Sequence, residues 1–153
     1  AGYYAFERDM EDICRYYSEL GIKGFKVDFM DRDDQPMVDF HYRGAAIAAK
    51  YHLLLDYHGT YKPTGLNRTY PNVVNFEGVH GLEQLKFAGS DKVDQVTYDV
   101  TMPFIRMVAG PVDYTQGAMR NGTKRTFRPV NEAPMSMGTR CRQLAEYVIF
   151  VLL

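Results

Sequence analysis

Tryptophan is absent from these 153 residues, and cysteine occurs only twice. Cys14 and Cys141 lie far apart, which excludes a metal-spaced pair and a disulfide framework. One bridge or two thiols remain open, and two buried thiols are the simpler expectation. No run of about eighteen apolar residues occurs, so no segment suits a membrane span. Residues 1–20 lack the charged start and apolar centre of a signal peptide. Charge of one sign is also lacking: the formal net charge of −1 offers no electrostatic basis for holding nucleic acid or an acidic membrane.

What is there reads as a soluble globular chain of one domain's length, 46% hydrophobic and 24% charged. Twelve Tyr and nine Phe supply the aromatic content. Tyr suits sugar or other polar-ligand surfaces, while core and rim packing is the plainer use. The chain begins at "AGYYAFERDM" without Met and stops inside "YVIFVLL", an apolar run with no cap behind it. This predicts a piece of a longer protein.

Residues 4–20 read as a helix, with Met10, Ile13, Tyr17 and Leu20 at helical spacing and Gly21 as its stop. "FKVDFM" follows as a short strand, and "DRDDQP" as a loop whose Pro36 opens a helix over 36–50. Phe40, Gly44, Ile47 and Ala48 form the inner side of that helix. "YHLLLDY" is a second strand, "YKPTGLNRTYP" a long polar loop and "NVVNFEG" a third strand. Strands alternating with helices predict parallel pairing and an α/β architecture. Residues 79–90 are expected to hold a short helix, and a fourth strand is expected near Ile105–Ala109. Residues 117–136 read as a long loop. A final helix carries Cys141, Leu144, Ala145, Val148 and Leu152 on one stripe. A (β/α)8 TIM barrel needs about 250 residues, so a barrel would be roughly half present.

The polar residues fall at strand ends. Asp28 stands near the end of the first strand, Asp56 and His58 at the end of the second. Glu77 ends the third, with His80 and Glu83 just after, and Asp113 follows the fourth. In parallel α/β folds the carboxyl ends of the strands share one face, where ligands bind. Carboxylates from separate elements can flank a glycosidic bond, one attacking or activating water while the other protonates the leaving oxygen. Crowded negative charge also raises the pKa of one member, as an acid catalyst requires. The alternative is that these carboxylates are solvated or cap helices, as Asp33 or Asp34 would for the helix at Pro36.

The stretches "GIKGFKVDFMDRDDQ", "YHLLLDYHGTYKPTGLNRTYPNVVNFEGVHGLE" and "GPVDYTQGAMRN" resemble glycoside hydrolase family 97, a family of bacterial α-glycosidases. The likeness runs from about Gly2 to Leu152. It implies an N-terminal β-sandwich, a central (β/α)8 barrel and a C-terminal β-domain in the whole enzyme. This chain resembles the barrel's middle-to-late part, roughly the third helix through the seventh, with the flanking β-domains absent. The retaining branch of the family, which includes α-galactosidases, carries an Asp nucleophile after the fourth strand, and Asp28 matches it. Its general acid/base is a Glu shortly after the sixth strand, and Glu83 matches. The inverting α-glucosidase branch places a base glutamate near the fifth strand's end, where this sequence has Gly59. That departure favours retention.

The resemblance also implies calcium near the site, with Glu77 the best-matching ligand and Glu83 a second. Calcium takes six to eight oxygens, so other segments would have to complete the set. It implies an oligosaccharide or α-galactoside substrate and a periplasmic location. Lys26 would hold the Asp28 carboxylate ionised or contact a sugar hydroxyl. Asp31 and Arg32 would pair with each other or reach hydroxyls. Asp56, His58 and His80 are substrate-contact candidates, for which hydrogen bonding within the loop layer is the alternative. No specific role falls to Asp113 or Tyr114. An inverting α-glucosidase and a non-catalytic, sugar-binding piece are the rival readings.

Overall fold

A computed structural model describes residues 2–150 and divides them into two units: 2–78 with Ala109–Pro111, and Val79–Val108 with 112–150. Among these residues no helix is long and apolar enough to cross a membrane.

The first unit runs α1 (Tyr3–Arg8), α2 (Met10–Glu19), β1 (Gly24–Val27), α3 (Gln35–Lys50), β2 (Leu54–Tyr57), α4 (Leu66–Thr69) and β3 (Val73–Phe76). Its strands form one parallel sheet in the order β1-β2-β3, as the alternating pattern predicts. The helix read over 4–20 is interrupted at Asp9, whose φ of −123° and ψ of 29° leave the helical region. Its inward positions Tyr3, Phe6, Met10 and Cys14 nonetheless keep helical spacing across the break, so the sequence pattern does not register it. Asp34 caps α3, its carboxylate accepting from the Met37 amide, and Pro36 occupies the first turn. The expected loop after β2 contains α4, which buries Leu66.

Val27, Leu55, Tyr57, Val73 and Phe76 face α1–α3, where Phe6, Met10, Phe40 and Ala48 complete the core. Each large buried side chain there contributes roughly 1.5–3 kcal/mol relative to exposure. Gly44 brings α3 close to β2, because a Cβ would lie 2.8 Å from the Tyr57 hydroxyl. Register slips by one residue between Leu55 and Asp56, so that Val73 opposes Leu55 but Asn75 opposes Asp56. This bulge lets Val73 and Phe76, three residues apart, both face the core. Asn75 and Glu77 are left for the opposite face. His41 is buried between the Met37 carbonyl (2.7 Å) and Thr60 Oγ1 (2.9 Å), and burial pulls its imidazole down to about 4.

The second unit contains 3-10 turns at Leu82–Lys86 and Ser90–Lys92, α5 (Gln95–Arg106), β4 (Asn121–Gly122), β5 (Ser136–Met137) and α6 (Arg140–Ile149). Leu82–Lys86 replaces the short helix expected over 79–90. The strand expected near Ile105–Ala109 is overturned: Ile105 belongs to α5 and Met107–Ala109 form a 3-10 turn. Asp94 starts α5 by accepting from the Thr97 amide, and the helix continues past Pro103. The loop expected over 117–136 contains β4 and the start of β5, which pair in parallel, and it buries Phe127.

The faces of α5 and α6 depart most from expectation. α5 buries Gln95, Asp99, Met102 and Arg106, at i, i+4, i+7 and i+11, and exposes Val96, Val100, Phe104 and Ile105. α6 buries Gln143 and Glu146 but exposes Cys141, Leu144 and Val148, which the apolar stripe assigns to the inside. Leu152, the last member of that stripe, lies outside the described residues. The buried polar groups answer one another. Asp99 accepts from the Tyr114 hydroxyl and pairs with Arg142 at 3.0 Å, while Arg142 Nε donates to Glu146 at 3.0 Å. Gln95 accepts from the Met137 amide at 2.8 Å, and Gln143 from the Gly117 amide at 2.8 Å. Both cysteines are free; Cys14 is buried, its thiol pushed up to about 11, but Cys141 is exposed, contrary to the expectation of two buried thiols.

Candidate active site

Strand alternation in the first unit leaves one sheet face polar. Lys26 and Asp56 sit opposite each other in the β1–β2 register, and Asn75 opposes Asp56 from β3. The Lys26 ammonium stands 3.7 Å from the Asp56 carboxylate, so this pair, rather than Lys26 with Asp28, forms the row. One step towards the carboxyl ends come Asp28, His58 and Glu77. His58 is placed by its amide, which donates to the Val27 carbonyl at 2.8 Å, and Glu77 by its amide to the Tyr57 carbonyl at 2.9 Å. His58 and Glu77 are both buried, and the imidazole Nε2 lies 3.4 Å from the Glu77 carboxylate.

Asp28 is half-buried and continues β1 through a bridge to Gly2. Its Oδ1 accepts from the Phe29 amide at 2.6 Å. The backbone that follows is unusual, since Phe29 (φ 68°) and Asp31 (φ 47°) both occupy the left-handed region. For a bulky residue such as Phe29 that is a strained conformation, of a kind that clusters at functional sites. Gly59, at φ 61°, explains how the turn is tolerated. A Cβ there would lie 2.8 Å from Asp28 Oδ1 and 2.8 Å from the Phe29 nitrogen. Its carbonyl accepts from the Asp31 amide at 2.7 Å, and its amide donates to Glu77 Oε2 at 2.6 Å. The Gly59 backbone thus bonds Glu77 on one side and Asp31 on the other, while its missing side chain leaves room for Asp28.

Asp31 is exposed, and the expected Asp31–Arg32 pairing is replaced: Arg32 pairs with Asp34 at 2.6 Å. Asp34 therefore caps α3 and binds Arg32, which holds its carboxyl below the usual carboxylate range. Among the residues that sequence reasoning did not single out, Asn75 is buried on the polar face and Phe29 exposes its ring beside Asp28. Strand alternation alone points to Asn75 only once the bulge is known.

His80 and Glu83 belong to the second unit. His80 is exposed, its ring 6.1 Å from that of Tyr98. Glu83 is half-buried in the Leu82–Lys86 turn. Its amide donates to Thr115 Oγ1 at 3.1 Å, and the Leu82 amide donates to the Tyr114 carbonyl at 2.8 Å, anchoring the turn. Lys86 stands 3.6 Å from the Glu83 carboxylate. Asp113 is half-buried in coil, and Tyr114 is a core residue that binds Asp99.

A parallel sheet packed by helices on one face, with carboxylates and an imidazole at the carboxyl ends on the other, defines an α/β protein. Residues 2–79 match the family described as glycoside hydrolase 97. A retaining alpha-galactosidase of Bacteroides thetaiotaomicron is 69% identical over 150 residues, covering 98% of this chain and 22% of the relative. A glycoside hydrolase family 97 enzyme from Pseudoalteromonas sp. strain K8, solved with panose, aligns at a TM-score of 0.64 and 25% identity. Its complex with acarbose aligns at 0.64 and 26%. Both alignments cover 95% of this chain and 27% of the solved one. The chain belongs to glycoside hydrolase family 97, and it spans about a fifth of the length of the Bacteroides relative.

Proposed function

We propose that this chain is part of the (β/α)8 catalytic barrel of a retaining α-galactosidase, with Asp28 as nucleophile and Glu83 as general acid/base. The observation that carries the reading is Asp28 itself. Its carboxylate stands at the carboxyl end of β1, oriented by the Phe29 amide and given room by Gly59. The likeness to a retaining alpha-galactosidase supports the same assignment.

In the first step Asp28 attacks the anomeric carbon. The bond to the leaving oxygen breaks, and Glu83 gives that oxygen its proton. A covalent glycosyl-enzyme results. Glu83, now a carboxylate, removes a proton from water as the water displaces Asp28, so the sugar keeps its configuration. Lys26, Asp31, Asp56, His58 and His80 are the candidate contacts for sugar hydroxyls, with Asp31 on the exposed turn after Asp28.

Calcium is part of this reading, with Glu77 and Glu83 as ligands. Glu77 suits the role in being a buried carboxylate at a strand end. One of its oxygens already accepts from Gly59, and His58 beside it offers nitrogen to an ion that prefers oxygen. The residues of this chain therefore supply a minority of the ligands, and segments of the full-length protein supply the others. Bound calcium would neutralise carboxylate charge beside the site. A periplasmic location accompanies the same proposal.

A 2-fluoro galactosyl substrate with a good leaving group tests the mechanism. Incubated with the full-length enzyme, it should leave a mass label on the peptide containing Asp28. Turnover of α-galactosides with no label, and with inverted product, would assign the enzyme to the inverting branch. Sugar binding without turnover by the full-length protein would leave only the non-catalytic reading.

A further inference from the structure

The second unit contains a cavity of about 240 Å³ beside Glu83. Its polar lining is Glu83, Lys86 and Thr115, and its apolar wall includes Ala118, Pro134 and Met135. The polar groups are largely committed. Thr115 Oγ1 accepts from the Glu83 amide at 3.1 Å and donates to the Tyr114 carbonyl at 2.6 Å. Lys86 stands against the Glu83 carboxylate at 3.6 Å.

A galactosyl ring carries hydroxyls around its rim, and each one buried needs a hydrogen-bond partner. This wall offers few, so it does not suit the sugar that is transferred to the nucleophile. The group on the other side of the scissile oxygen escapes this requirement when it is an aryl or alkyl aglycone rather than a second sugar. A general acid must reach the scissile oxygen within hydrogen-bond distance, so the substituent on that oxygen lies against the acid. The volume falls below the roughly 300–1,000 Å³ typical of drug-sized ligands, which limits the occupant to about one ring. The geometry points to this cavity as the leaving-group site, taking a single ring through an apolar face, with Met135 and Ala118 setting which leaving groups are accepted. This inference rests on the assignment of Glu83 as acid/base.

The test compares two substrates of the full-length enzyme. 4-Nitrophenyl α-galactoside places a ring in the cavity; α-galactosyl fluoride releases only fluoride and leaves the cavity empty. Met135→Ala removes part of the wall, and Ala118→Val fills the space. Each should lower kcat/KM for the nitrophenyl substrate about tenfold, the scale of a small change in an apolar pocket. The fluoride value should stay within about twofold. Retained fluoride hydrolysis also reports that the variants are folded, and Ala118→Val decides if Met135→Ala does not fold. Equal losses on both substrates, or no change on the nitrophenyl substrate in either variant, overturn the assignment. The underlying function is tested separately by the wild-type enzyme: failure to hydrolyse α-galactosyl fluoride would remove the galactosidase reading and this inference with it.

Discussion

Gly59 donates its amide to Glu77, accepts from Asp31 through its carbonyl, and leaves Asp28 Oδ1 the space a side chain would take. Both its positive φ and the neighbouring Phe29 nitrogen oppose any Cβ, and the nitrogen, being backbone, cannot swing away. Gly59→Ala is therefore expected to destabilise the fold by about 1–2 kcal/mol. It should also lower kcat of the full-length enzyme more than it raises KM, because it displaces Asp28, the proposed nucleophile. Denaturant unfolding and steady-state kinetics on an α-galactoside check the two effects. Asp28 was legible in sequence because "FKVDFM" reads as a strand whose end carries a carboxylate. The left-handed turn at Phe29 was not, since a Phe carries no local signal for positive φ; the Asp31–Gly59 hydrogen bond holds it in place. The absence of the inverting branch's glutamate had already marked Gly59 as a departure from that branch. Its contact with Asp28 supplies a physical reason why a side chain there and a carboxylate at position 28 compete for the same space.

α5 and α6 show where periodicity misleads. Their apolar stripes are real, but the buried faces are polar: Gln95, Asp99 and Arg106 on α5, Gln143 and Glu146 on α6. These faces are held by hydrogen bonds and ion pairs to Arg142, Tyr114, Gly117 and Met137. Burial, followed by the Asp99 charge, pushes the Glu146 carboxyl up to about 8, against the opposing influence of Arg142. A carboxyl raised in the folded state contributes stability that is complete below its unfolded pKa of about 4.3. That contribution is lost as pH rises through the folded value. The second unit should therefore lose stability between about pH 4.3 and 8. Glu146→Gln, which cannot ionise, should flatten this dependence and raise the thermal midpoint at pH 8 relative to wild type, as calorimetry across that range would show. The missed strand at Ile105–Ala109 has a related origin. "PFIRMVA" looks like a strand after a proline stop, yet Pro103 only forfeits a helical hydrogen bond to the Asp99 carbonyl, and α5 continues for another turn.

At the scale of the whole molecule, the exposed apolar side chains of the second unit matter most. Phe104, Ile105 and Val108 are each about four-fifths exposed, and Val148 is 70% exposed. Exposed apolar groups favour association when they lie together. The 153 residues produced alone should associate with increasing concentration in analytical ultracentrifugation, and Phe104→Lys with Ile105→Glu should shift them towards monomer. The same isolated residues should turn over α-galactosides weakly or not at all beside the full-length enzyme; robust hydrolysis of a nitrophenyl galactoside would contradict this. By itself the sequence determined the parallel α/β order of the first unit, the cap at Asp34, and the placing of Asp28, Asp56, His58 and Glu77 at strand ends. Those features follow from local alternation and from turn and capping chemistry. Only tertiary structure decided the β-bulge that turns Asn75 and Glu77 onto the polar face, the pairing of Lys26 with Asp56, and the inward choice of the polar faces of α5 and α6. Each depends on a partner distant in sequence, and a side chain's pattern along its own segment does not specify which distant group will satisfy it.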